Sequence, residues 1–311
     1  MRKLVAAMMV ALALITLADA GTRAAHAKRV ALVVGVAAYT SSPPLANPAN
    51  DARAMSAALK RYGFDVIVAI DPDLGALTRT LETFYQRAVG ADVALFYFAG
   101  HGLQLRGTNY LLPTTVALRS EARLLQEAIP LQQVLRAMEE RAKISITFLD
   151  ACRDNPLAER LQRSIFGRSR GAAVPRGLAK VALRTPDTLL VFAAASGKTA
   201  ADGEGRNSPF TAALLRHMAA PGRDIEVVLK RVTRDVARAT RGAQVPERLS
   251  RLTSDFVFNR AADRFRWTAP PSAGTPTATG PQPKPAPRTS GANTDVCARA
   301  NPPLACLWKK P

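Results

Sequence analysis

Two short segments carry the side chains best suited to chemistry in this chain. One is Ala99-Gly100-His101-Gly102, and the other is Leu149-Asp150-Ala151-Cys152-Arg153. A thiol attacks as its thiolate, and an imidazole within reach is a common base for it. The chain has three histidines. His26 falls in a leader-like segment, and His217 lies near the end of a helix opened by Ser208-Pro209, where an ordinary surface or capping histidine is expected. His101 is therefore the strongest candidate to serve Cys152, and it stands between two glycines at a strand end, where little bulk shields it. Of three cysteines, Cys297 and Cys306 lie close together near the C-terminus and pair most simply with each other. Cys152 is then a free thiol. A lone cysteine is more often buried and inert, but Arg153 beside it and a histidine at a neighbouring strand end both favour thiolate.

The elements that must position these residues follow from the apolar pattern. Arg29 to Val36, Phe64 to Ile70, Asp92 to Phe98 and Lys143 to Leu149 are short apolar runs, mostly rich in β-branched residues, and read as buried strands. Between them, helical spacing recurs at Ala52, Met55, Ala58 and Leu59, at Leu77, Leu81, Phe84, Tyr85 and Ala88, and at Leu131, Val134, Leu135 and Met138. Pro43, Pro44 and Pro48 predict a loop, Asn50-Asp51 a helix cap, and Gly63 a helix stop. Asn109 to Pro113 reads as a short extended piece. Later come a strand over Thr188 to Ala195, helices after Pro209 and over Ile225 to Ala239, and a last strand at Thr253 to Phe258. Alternating strand and helix predict an α/β fold with a mostly parallel sheet covered on both faces. Both chemical segments then sit at carboxyl ends of strands, where open α/β sheets place their ligands.

The 311 residues carry a formal charge of +19. The basic residues are scattered, without the aromatic interleaving of single-strand binders, so a solvated basic surface is expected rather than nucleic acid binding. No zinc-type cysteine and histidine spacing occurs, and no metal site is expected. Ser196-Gly197-Lys198-Thr199 hints at a phosphate loop, but Phe192 stands where that pattern needs glycine. Met1-Arg2-Lys3, the apolar run from Leu4 to Leu17 and the small residues before Lys28 predict a signal peptide over residues 1–27. That apolar run is shorter than the ~20 residues of a spanning helix, so a periplasmic or secreted product without stable membrane insertion is expected. Residues 157–186 alternate arginine with glycine and proline and read as an exposed basic loop. Residues 263–311 are Pro-rich and read as a disordered tail.

His-Gly followed about fifty residues later by Asp-x-Cys resembles the caspase-like cysteine peptidases. The likeness runs from about Arg29 to Phe258 and takes in Asn50-Asp51-Ala52 and Ser208-Pro209-Phe210. It implies one peptidase domain over residues 28–262, built as a caspase-haemoglobinase-like three-layer sandwich on a six-stranded sheet. His101 would be general base and acid, and Cys152 the nucleophile that forms an acyl-enzyme. The N–H groups of Gly102 and Cys152 would hold the oxyanion. Metacaspases, which prefer basic residues, carry an aspartate two positions before the cysteine and another in the loop after the first strand. Asp150 and Asp51 match those positions and would bind an Arg or Lys side chain. Animal caspases have glutamine at the position of Asp150, which disfavours cleavage after Asp. Ala99 departs from the serine the family often has there. Metacaspases can be activated by calcium, but no ligand set for it is evident in this sequence, and no other cofactor is implied.

The resemblance thus implies an endopeptidase acting on proteins or peptides after Arg or Lys, with residues 157–186 either a stretch where it cuts itself or a solvated basic loop. The reading from another class is a non-catalytic caspase-fold module that binds a partner or an anionic envelope surface.

Overall fold

The computed structural model describes residues 27–152, 178–179, 181–195, 200–203 and 205–260. The expected signal peptide up to residue 26, most of the basic loop, the phosphate-loop-like segment, the tail, His26, Cys297 and Cys306 lie outside the described residues.

Eight strands and six helices are described: β1 (Arg29–Gly35), α1 (Pro48–Arg61), β2 (Asp65–Ile70), α2 (Leu74–Ala88), β3 (Ala91–Leu105), β4 (Thr108–Leu111), α3 (Glu121–Glu127), β5 (Ile129–Pro130), α4 (Leu131–Glu139), β6 (Ala142–Cys152), β7 (Thr188–Phe192), α5 (Pro209–Met218), α6 (Ile225–Ala239) and β8 (Glu247–Ser250). The main sheet runs β2-β1-β3-β6-β7-β8, and β4 and β5 extend from β3 beside it. All neighbours on the main path are parallel except β7 with β8. Parallel sheets are buried on both faces, which is why the strands are apolar at successive positions.

The two faces feed two cores. Val30, Leu32 and Val34 of β1 with Phe96 and Phe98 of β3 pack against Leu77, Leu81 and Phe84 of α2 and Val134 and Met138 of α4. Ala31 and Val33 with Leu95, Tyr97, Ile146 and Phe148 pack against Met55 and Leu59 of α1, Phe210 and Leu214 of α5, and Val228, Val232 and Val236 of α6. The three-layer α/β sandwich expected from sequence is therefore present.

Several local expectations change. Pro48 lies at the first position of α1 after Asn47, so Asn50 and Asp51 fall in its first turn rather than at its cap. The free donors of that turn accept a proline without loss. No strand covers 253–258; only Val257 forms a bridge, with Asp224. Phe256 and Phe258 instead stack edge to face at 4.8 Å in the second core. The last strand is the polar β8, which has no apolar run to signal it. His217 pairs through Nε2 with Asp235 of α6 at 2.7 Å, tying two helices together rather than lying free on the surface.

Arg29 ties the start of the sheet to the segment at Val257 and Phe258. Its guanidinium donates to the carbonyls of Phe258 at 3.1 Å, Val257 at 3.0 Å and Tyr62 at 3.3 Å, and lies over the rings of Phe64 and Phe256. Burial lowers its pKa to about 10, so it stays protonated at neutral pH. Arg29→Met leaves these carbonyls without donors and is expected to cost about 3 kcal/mol. Urea denaturation checks this, and an unchanged midpoint would contradict it.

Candidate active site

The glycines around His101 do not end β3. The strand continues to Leu105, because β6 pairs with it as far as His101 and β4 pairs with it from Gly102 onward. Within that ladder His101 is in direct register with Cys152, and Ala99 with Asp150. Registered neighbours in a sheet lie about 4.8 Å apart. Both chemical positions thus lie inside the strands rather than beyond them, Cys152 as the last residue of β6 and His101 within β3.

Glycine is required here because the backbone is approached closely. Gly100 has φ of +153°, and a Cβ on it would lie 2.8 Å from Tyr39 Oη and 3.2 Å from Val36 Cβ. A Cβ on Gly102 would meet Leu178 Cδ2 at 3.1 Å and Ala151 Cβ at 3.3 Å. The openness expected around His101 is therefore absent: the residue is 2% exposed, covered by the ring of Tyr39 at 4.5 Å between centroids. Burial alone lowers its pKa to about 4, so the imidazole is neutral at pH 7. Neither ring nitrogen has a hydrogen-bond partner among the described residues.

Part of the expected exposed loop is packed against this region. Asn109 on β4 exchanges two bonds with the backbone of Ala179, Nδ2 donating to the carbonyl at 3.0 Å and Oδ1 accepting from the N–H at 2.6 Å. Leu178 and Ala179 are buried as a result.

The two aspartates meet, although 99 positions separate them in the chain. Asp51 is 1% exposed and Asp150 5% exposed. Asp51 Oδ1 accepts from Asn207 Nδ2 at 2.8 Å and from the N–H of Ser208 at 3.1 Å. Asp150 Oδ2 accepts from the hydroxyls of Ser208 and Thr211, the latter at 2.8 Å. Ser208 also caps α5 by accepting from the N–H of Thr211. One serine therefore contacts both carboxylates and starts the helix. Thr211 in turn bonds Tyr97 Oη at 2.6 Å. Burial, then the charge of Asp150, pushes Asp51 up to about 7, against the lowering effect of Asn207 and Ser208. Burial pushes Asp150 up to about 6, opposed by its two hydroxyl donors.

A third carboxylate, Asp202, was not evident from sequence. It is partly exposed and accepts from the N–H groups of Ala46 at 2.6 Å and Asn47 at 3.2 Å, and its charge adds to the upward shift of both aspartates. Its signal was weak, an acid among glycines in a loop. Asn207, Ser208 and Thr211 were legible only as a helix start. Buried like charges held by neutral donors make a site that gains from an incoming cation.

The sequence matches the caspase domain family over residues 28–257, and the chain belongs to that family. It carries a caspase-family cysteine peptidase domain. Caspase-1 from Spodoptera frugiperda is similar in fold, with a TM-score of 0.52 at 21% identity over 75% of this chain and 91% of that one. A stretch of 128 residues is 26% identical to mucosa-associated lymphoid tissue lymphoma translocation protein 1 of Homo sapiens and to its homolog in Mus musculus. That match covers 40% of this chain and 15% of the length of those relatives.

Proposed function

We propose that this chain is a cysteine endopeptidase that cleaves peptide bonds after Arg or Lys, with Cys152 as nucleophile and His101 as its base. The observation that carries the reading is the register of His101 with Cys152 on adjoining strands. His101, neutral at pH 7, takes the thiol proton as sulfur attacks the scissile carbonyl. The resulting oxyanion is held by backbone N–H groups of Gly102 and Cys152. His101 then gives the proton to the departing amine, leaving a thioester on Cys152. Water, deprotonated by His101, hydrolyses it.

Asp51 and Asp150 bind the basic side chain before the cut, with Asp202 adding negative charge beside them. A guanidinium or ammonium recovers the charge pairing that these carboxylates lack in the free protein. The chemistry is complete with thiol, imidazole and backbone donors. Among the described residues no group of three or more His, Cys, Asp or Glu side chains converges as a metal site. Among the same residues no helix is long and apolar enough to cross a membrane. A periplasmic or secreted location fits the leader-like start.

Turnover of fluorogenic peptides ending in Arg, Lys or Asp tests the reading. Cleavage of the first two and not the third is expected. No turnover of any, with reductant and calcium supplied, would favour a non-catalytic binding module. Self-cutting within residues 157–186 is expected after Arg or Lys. Intact-mass analysis should show the fragments in wild type and the whole chain in Cys152→Ala. The same fragments in both would overturn self-processing.

A further inference from the structure

His101 is a base without an acidic partner: among the described residues nothing accepts from either ring nitrogen. A catalytic imidazole is ordinarily aimed by a third group, so its aim here has to come from elsewhere. The ladder between β3 and β4 shows where. Leu112 donates its N–H to the carbonyl of His101 at 3.2 Å, but the return bond of that rung is not made directly. The hydroxyl of Tyr39 sits in its place, accepting the N–H of His101 at 2.7 Å and donating to the carbonyl of Leu112 at 3.2 Å. The ring of the same residue lies against the imidazole, tilted by 42°.

Tyr39 is itself fixed from two sides. Asp71, at φ of 49°, accepts the N–H groups of Ala37 and Ala38 at 2.6 and 2.8 Å. The N–H of Thr40 donates to the carbonyl of Thr114 at 3.0 Å. Gly100 leaves the space that the phenol hydroxyl occupies.

We propose that Tyr39 is the positioning residue for the base, pinning the backbone of His101 through its hydroxyl and holding the imidazole plane and keeping water off it with its ring. This rests on His101 acting as the base. Among the described residues the titratable group packed against the imidazole is Tyr39, and the backbone of Cys152 lies in register with His101; burial alone accounts for the lowered pKa.

Two variants separate the two parts of the role. Tyr39→Phe keeps the ring and opens the rung, and is expected to lower kcat for an Arg-ended peptide roughly tenfold with KM within about twofold. Tyr39→Leu removes the ring as well, and is expected to lower kcat roughly 100-fold. NMR titration of the His101 imidazole gives a readout independent of turnover. The midpoint should stay near 4 in Tyr39→Phe, and in Tyr39→Leu should rise toward the ordinary value of about 6.5 as water reaches the ring. Thermal melting checks that each variant is folded. Wild-type kcat in both folded variants, or an unmoved midpoint in Tyr39→Leu, would overturn the proposal. If the midpoint moves as expected while wild type cleaves no peptide, the peptidase reading falls and the placement of the imidazole by Tyr39 stands.

Discussion

His101→Gln is expected to lower kcat for an Arg-ended peptide by roughly 10²- to 10⁴-fold, the range for loss of a positioned general base. KM and stability should change little. The reason lies in how His101 is held. Its backbone makes the structural bonds, through the N–H to Tyr39 and the carbonyl to Leu112. Its ring nitrogens bond nothing among the described residues. Glutamine fits a similar volume and keeps the backbone bonds, but it cannot take a proton from a thiol. A variant that melts like wild type and retains its kcat would remove His101 from the mechanism.

The second large effect carries opposite signs for activity and stability. Asp51→Asn combined with Asp150→Asn removes both buried counter-charges of an incoming guanidinium and leaves only the partly exposed Asp202 beside it. That costs about 3–5 kcal/mol, a loss on the order of 10²- to over 10³-fold in kcat/KM for Arg-ended peptides. The free protein should gain. Both carboxyls have folded pKa values raised above their unfolded ones, so their ionisation opposes folding at higher pH and the penalty vanishes as pH falls below the unfolded value. The double variant should therefore show a higher urea midpoint than wild type at pH 8 and no such advantage near pH 4. Catalysis has a matching signature. In wild type, kcat/KM for Arg-ended peptides should rise with pH through about 6 to 7 as Asp51 and Asp150 ionise, since the imidazole has already lost its proton above about 4. In the double variant that rise should be absent. A pH profile identical in the two proteins would exclude these carboxylates from the substrate site.

The layers of the fold were legible because burial on both faces forces apolar runs such as Val30 to Val34 and Leu95 to Phe98, and because helix faces repeat at Leu77, Leu81 and Phe84. What the pattern misjudged depended on distant partners. Gly100 and Gly102 look like the end of a strand until Tyr39, Ala151 and Leu178 close on them from elsewhere. Asp51 looks like a helix cap, and only the arrival of Ser208, 157 positions later, turns its carboxylate into half of a buried pair. The polar strand Glu247–Ser250 is recognised by its pairing with β7 and not by its residues. Leu178 and Ala179 sit in an arginine-rich stretch that reads as loop, yet Asn109 supplies a strand-like contact from its side chain. The types of the key residues, His101, Cys152, Asp51 and Asp150, were visible; the burial that tunes them was not.

The most direct measurement is labelling of the full chain with matched peptidyl acyloxymethyl ketones ending in Arg or in Asp, followed by intact mass and peptide mapping. The thiolate displaces the carboxylate leaving group and forms a thioether. One adduct, on Cys152, forming readily with the Arg reagent and scarcely with the Asp reagent, is the predicted result. Modification at Cys297 or Cys306 instead, or equal reaction with both reagents, would contradict a nucleophile at the end of β6 facing an acidic site.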